Sequence, residues 1–158
     1  MVADFADIQP ADVVYDLYCG VGTLSLYLSK LASKVVGIEL VDEAIENARI
    51  NASKNGVEHA FFVKGDMKDT FNETLIQQYG HPNVLITDPP RAGMHPDVIT
   101  QLLDLKAPKI IYVSCDSSTL ARDLALLSEA YSIDAIQPVD MFPQTYHIET
   151  VAALTLKL

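Results

Sequence analysis

The sequence predicts a doubly wound α/β domain: a mostly parallel, seven-stranded sheet with an antiparallel hairpin at its C-terminal end. Two observations carry this expectation. Short apolar, β-rich runs alternate with helical patterns along the whole chain, the signature of βαβ crossovers around a parallel sheet buried on both faces. The last two runs break that rule. Only the loop around Met141–Glu149 separates them, too little for a crossover, so they pair antiparallel.

In chain order, the predicted strands are Val13–Tyr18, Lys34–Glu39, Ala60–Lys64, Val84–Asp88, Lys109–Ser114, Ser132–Val139 and Thr150–Lys157. The first runs into a Gly-x-Gly turn, the third into Gly65-Asp66, and the fourth into two prolines, each of which ends a strand. Helical segments fill most of the gaps. The clearest spans Asp42–Asn55, where Ile45, Ala48 and Ala52 recur on one face and Gly56 takes the residue past the cap.

The bulk properties narrow the possibilities. A chain of 158 residues makes one domain with one sizeable core, expected to be monomeric. Hydrophobic residues make up 49% and charged residues 20%, as in ordinary globular proteins. No apolar run approaches the ~20 residues that span a bilayer, so no membrane association is expected. The N-terminus lacks the basic and apolar regions of a secretory signal. Two cysteines, Cys19 and Cys115, make no disulfide framework, and a cytoplasmic, reducing setting is expected. The four histidines have no metal-ligand spacing, so no metal site is expected. The formal net charge is −10. That opposes a polyanionic partner, because phosphate neutralisation supplies most nucleic-acid affinity.

Candidate functional residues cluster at strand ends. Asp16-Leu17-Tyr18-Cys19-Gly20-Val21-Gly22-Thr23 closes the first strand and opens the first helix, where doubly wound sheets bind ligands. Gly20 and Gly22 admit a ligand close to the backbone. Ser25 stands where the dinucleotide fingerprint has its third glycine, so a nucleoside fits better than a pyrophosphate and a dehydrogenase reading fails. Glu39, closing the second strand, stands at the offset where a carboxylate accepts from both ribose hydroxyls; otherwise it is a solvated strand end. Asp66, past the third strand, is placed to accept from an adenine amino group and reads equally as a turn former beside Gly65.

Pro89 and Pro90 present Asp88 rigidly at the same edge. Methyltransferases of exocyclic amines often follow Asp/Asn-Pro-Pro with an aromatic residue; here Arg91 follows. Cys115 ends the fifth strand. A lone cysteine beside an apolar strand is more often an inert core residue, but one at the ligand edge is a candidate nucleophile. Glu149, at the start of the last strand, is the matching candidate base. Arg122 and His147 are the cations nearest that cysteine in the sequence pattern; Asp116 and Asp123 are the anions.

Asp16-Leu17-Tyr18-Cys19-Gly20-x-Gly22-Thr23, Asp88-Pro89-Pro90-Arg91, Ser114-Cys115-(x)3-Thr119-Leu120-Ala121-Arg122-Asp123 and Met141-Phe142-Pro143-x-Thr145-x-His147-x-Glu149 resemble, in order, the RNA 5-methyluridine methyltransferases. These modify uracil C5 in transfer or ribosomal RNA. The resemblance covers essentially the whole chain and implies a Rossmann-like class I fold that uses S-adenosyl-L-methionine and yields S-adenosyl-L-homocysteine. It implies that Cys115 is the nucleophile and Glu149 the base, and that Asp16, Tyr18, Gly20, Gly22, Thr23, Glu39, Asp66 and Asp88 form the cofactor site. Family members carry an N-terminal RNA-binding barrel in many cases, a central region that in some holds an iron–sulfur cluster, and a cofactor-holding glutamine before the first strand. None is in this sequence, so residues 1–158 are expected to be the catalytic domain of a longer protein whose missing part carries RNA affinity. Two other readings stand beside this one: a methyltransferase of small molecules or proteins, natural for an acidic chain, and a cofactor-binding fragment without turnover.

Overall fold

The computed structural model describes all of residues 1–158. One seven-stranded sheet organises the chain. Its strands are β1 (Val13–Leu17), β2 (Lys34–Glu39), β3 (Ala60–Lys64), β4 (Val84–Thr87), β5 (Lys109–Ser114), β6 (Tyr131–Val139) and β7 (Glu149–Leu156). The helices are α1 (Val2–Ala6), α2 (Thr23–Leu28), α3 (Asp42–Lys54), α4 (Met67–Thr70), α5 (Glu73–Tyr79), α6 (Pro96–Leu105) and α7 (Ser117–Leu127). The strand order is β3-β2-β1-β4-β5-β7-β6. β3, β2, β1, β4 and β5 run parallel, whereas β7 pairs antiparallel with both β5 and β6. The doubly wound sheet and its antiparallel C-terminal hairpin are therefore as the sequence predicts. The order reverses between β1 and β4, which opens the ligand crevice of such folds at their carboxyl ends.

Period-two alternation sends neighbouring residues to opposite faces. Tyr15 and Leu17 of β1, and Ile110 and Tyr112 of β5, join the larger core cluster with α4, α5, α6 and α7. Val14 and Ile111 join the opposite cluster with Ala6 of α1 and Leu28 of α2. Ile45, Ala48 and Ala52, the predicted stripe of α3, pack on Cys19 and Phe62. No helix is long and apolar enough to cross a membrane.

Small differences from the sequence reading have local causes. β1 stops at Leu17 because Tyr18 takes a left-handed conformation, φ 67°, which cannot continue a strand. β4 stops at Thr87, ahead of the two prolines. α1 gives no periodic signal in five residues. It forms by docking Ala6 against the sheet, with Val2 and Ala3 packed beside it.

Candidate functional site

The turn after β1 is built from positive-φ backbone. Gly20 and Gly22 have φ of 53° and 79°. A Cβ at Gly22 would lie 2.9 Å from the Phe62 ring and 3.1 Å from the Ala48 Cβ, so only glycine lets α2 start this close to β3 and α3. A Cβ at Gly20 meets nothing within 4 Å. Behind the turn, Ser25 Oγ donates to Asp16 Oδ2, 2.5 Å away, with both residues buried. Where a third glycine would pack α2 onto β1, a hydroxyl ties the two together. Burial, followed by the nearby Asp88 and Glu39 charges, lifts the Asp16 carboxyl to about 7 against the lowering effect of Ser25.

Glu39 is oriented by backbone alone. Its Oε2 accepts from the Gly20 N–H at 3.1 Å, and its Oε1 accepts from Leu40 and Val41 N–H at 2.8 and 3.0 Å. One carboxylate therefore welds the glycine turn to the end of β2 and keeps lone pairs for a ligand. Next to it lies a cleft of about 470 Å³, large enough for a nucleoside-sized molecule. Tyr18, Glu39, Asp66, Asp88 and Pro90 are among its walls. Asp66 also caps α4 through Lys68 N–H, so the turn-forming role foreseen for it is real and leaves it on the cleft wall. Asp88 is lifted to about 6 by desolvation at the crowded edge and then by the Glu149 carboxylate. Asp16, Gly20, Gly22 and Thr23 shape the turn behind the cleft and are not among the lining residues. A second hollow, about 710 Å³ between α5 and α6, contains none of the motif residues.

Strand pairing brings Cys115 and Glu149 to one end of the sheet. In the β5–β7 pair, Ser114 stands opposite Thr150. Cys115 follows the last residue of β5, and Glu149 is the first residue of β7, so the two lie at the same end of that strand pair. Both residues are partly exposed. Ser114 Oγ accepts from Asp116 N–H, and Asp116 caps α7 through Ser118 and Thr119 N–H. Those amides, Thr119 first, hold the Asp116 carboxyl below the usual carboxylate range.

The cations named beside Cys115 are engaged elsewhere. Arg122 donates from Nε to Asp123 Oδ1 and from Nη2 to Ala92 O. Arg91 Nη2 lies 2.7 and 3.0 Å from the two ring nitrogens of His147. Asp123, which sequence reasoning treated only as a neighbouring charge, is fully buried. Its Oδ2 accepts from the Tyr112 hydroxyl at 2.7 Å and from Met94 N–H at 2.8 Å. Thr119 Oγ1 donates to Arg91 O. α7 thus grips the loop after Pro90 from behind. The Thr119-Leu120-Ala121-Arg122-Asp123 motif was the signal for this clamp.

This arrangement, with a Gly-x-Gly turn, an acid closing β2 and a cleft at the switch point, is the framework of class I methyltransferases. An rRNA methylase from Streptococcus thermophilus shares the fold at a TM-score of 0.77 with 15% identity, covering 99% of this chain and 94% of that one. The model of the tRNA (uracil-5-)-methyltransferase family matches residues 2–157, and the chain belongs to that family. The tRNA (uracil-54, C5)-methyltransferase of Pyrococcus abyssi, solved with S-adenosyl-L-homocysteine, is 36% identical with a TM-score of 0.83, covering 98% of this chain and 37% of that one. An uncharacterized RNA methyltransferase of Bacteroides thetaiotaomicron is 50% identical over 154 residues, 98% of this chain and 34% of the relative. One from Porphyromonas gingivalis is 49% identical over 153 residues, 96% and 33% respectively. The chain spans about a third of the length of these curated relatives.

Proposed function

We propose that this chain is the catalytic domain of an S-adenosyl-L-methionine-dependent RNA methyltransferase that methylates uracil C5 in transfer or ribosomal RNA through a covalent Cys115 adduct. The β5–β7 pairing, which brings the end of β5 just before Cys115 beside the start of β7 at Glu149, carries the reading. Family membership and the RNA methyltransferase relatives support it.

The residues present suit the cofactor. The Glu39, Asp66 and Asp88 carboxylates line a nucleoside-sized cleft, and a Cβ at Gly20, whose N–H holds Glu39, would meet nothing within 4 Å. Glu39 would hold the ribose hydroxyls, Asp66 the adenine amino group, and Tyr18, Thr23 and Asp88 the remainder. Bound there, S-adenosyl-L-methionine supplies an electrophilic methyl group.

The chain's own groups perform the rest. Uracil C5 is too weak a nucleophile to act unaided. The Cys115 thiolate forms a bond to C6, and the C5–C6 π pair moves toward O4 as an enolate, making C5 nucleophilic. After C5 has been methylated, Glu149 removes the C5 proton. The released pair restores the double bond and expels the thiolate.

Two replacements separate these steps. Cys115→Ala should bind RNA, form no adduct and be inactive. Glu149→Gln should accumulate a methylated protein–RNA complex that survives denaturation, and 5-fluorouridine RNA should trap the wild type because fluorine cannot leave as a cation. A denaturing gel with labelled RNA, followed by mass spectrometry of the shifted band, reads all three. Normal turnover by Cys115→Ala would overturn the mechanism. The charge of −10 favours one competing reading, methylation of a small molecule or protein, which leaves the Cys115–Glu149 pair without a task. Turnover unaffected at both positions would support it.

A further inference from the structure

The loop that delivers Glu149 exposes side chains a soluble surface ordinarily hides. Met141, Phe142, Tyr146 and Ile148 are 60%, 53%, 88% and 51% exposed, four apolar or aromatic residues within eight positions beside the candidate catalytic pair. Contiguous exposed apolar surface marks an interaction site. The loop's own bonds hold these side chains outward. Thr145 N–H and Oγ1 both donate to Phe142 O, at 2.9 and 3.0 Å, and His147 N–H donates to Thr145 Oγ1. The Tyr146 ring packs against the His147 ring at a 45° tilt, centroids 4.3 Å apart, and His147 is in hydrogen-bond contact with the Arg91 guanidinium. Phenol, imidazole and guanidinium thus form a chain of contacts from the loop before β7 to the loop after β4.

We infer that this array is a stacking ledge for an unpaired base of the RNA strand that carries the target uridine, with Tyr146 as the outer binding residue. The inference rests on the reading given under Proposed function. Sequence-specific RNA sites present unpaired bases, which stack on aromatic rings and guanidinium planes. A uridine entering a covalent site must leave its own stack, so its neighbours are exposed where the ledge begins. Charge points the same way. With 11 basic against 21 acidic residues, this domain has little to offer phosphates. Its own share of RNA affinity must then come from contacts that salt does not screen.

The test uses the natural full-length polypeptide, with unmodified total RNA from a strain lacking the gene as substrate and labelled cofactor. Wild type, Tyr146→Ala and Tyr146→Phe are compared for KM and kcat at several salt concentrations. Tyr146→Ala should raise the RNA KM about tenfold, with the loss falling on KM more than on kcat. Tyr146→Phe should keep the wild-type KM, because a ring suffices. The slope of log KM against log salt should be the same for all three. An unchanged KM in Tyr146→Ala, or equal losses in the alanine and phenylalanine variants, would overturn the ledge. So would a shallower salt slope, which means a phosphate contact, or a lowered melting midpoint of the RNA-free protein, which means that another part of the polypeptide covers the ring. These outcomes require a wild type that methylates RNA. A wild type that transfers no methyl group to RNA refutes the proposed function itself, and the ledge with it.

Discussion

Asp16 and Glu39 are two carboxylates of one turn put to opposite uses. Glu39 accepts from three backbone N–H groups, keeps acceptor capacity to spare and stays at the cleft wall. Asp16 is buried behind the turn with Ser25 as its hydrogen-bond partner, and burial lifts its pKa to about 7. The consequence for stability follows from proton counting. In the unfolded chain an Asp titrates near ~3.9. Between roughly pH 4 and 7 the native state therefore binds more protons at Asp16 than the unfolded state does, and stability falls as pH rises through that window. Asp88, raised to about 6, acts in the same direction over a narrower range. Asn at position 16 keeps a partner for Ser25 and cannot ionise. The stability of Asp16→Asn relative to wild type should accordingly rise as the pH goes from about 5 to about 8. Urea denaturation at several pH values measures this, and a difference independent of pH would place the Asp16 titration elsewhere.

Among the secondary-structure elements, α7 does more than follow Cys115. Through Asp123 it holds the β5 side chain Tyr112 and the loop at Met94; through Thr119 and Arg122 it holds Arg91 and Ala92. The nucleophile's strand, the Asp-Pro-Pro-Arg loop and the helix behind them thereby form one unit. A buried carboxylate with this many donors is costly to remove, because each donor is left unpaired. Asp123→Ala should lower stability by about 3–5 kcal/mol, while Tyr112→Phe, which removes one of the donors, should lower it by about 0.5–1.5 kcal/mol. Chemical denaturation of the two variants gives the comparison. Equal losses would mean that the tyrosine bond alone carries the clamp. The outer hairpin strand is managed differently: β6 is the sheet edge, and a register irregularity between Ile133 and Ala135 breaks its ladder, a device that discourages pairing with another chain.

For the whole molecule, charge and function pull apart. A net charge of −10 repels a polyanion, yet the family acts on RNA. The conflict dissolves if phosphate contacts lie in the rest of the polypeptide, since this chain spans about a third of its curated relatives. Residues 1–158 alone should then bind RNA weakly at physiological salt with a shallow salt dependence. The full-length polypeptide should bind more tightly with a steeper one. Filter-binding titrations across a salt series compare the two, and nanomolar binding by residues 1–158 alone would place the phosphate contacts within this domain.

The sequence by itself determined the layered architecture and the positions of the chemistry-bearing strand ends. Each of those signals is local: short continuous apolar runs in β1 to β5, the stripe Ile45, Ala48 and Ala52 in α3, glycines or prolines at Gly20, Gly22 and Pro89-Pro90. Hydrophobic burial acts on such patterns wherever the partner lies, so they are readable without it. The motif resemblance added roles for Cys115 and Glu149 but no reason for them to share one end of the sheet. Only the tertiary structure decided that the end of β5, just before Cys115, lies beside the start of β7 at Glu149. That placement comes from inserting β7 between β5 and β6, a choice among long-range pairings that no short window encodes. The fate of polar residues was decided the same way. Asp66 and Asp123 look alike in sequence, yet one stays at a cleft wall and the other is sealed behind Tyr112 and Met94. Whether a carboxylate may be buried depends on donors brought from distant elements, and that supply exists only once the chain has folded.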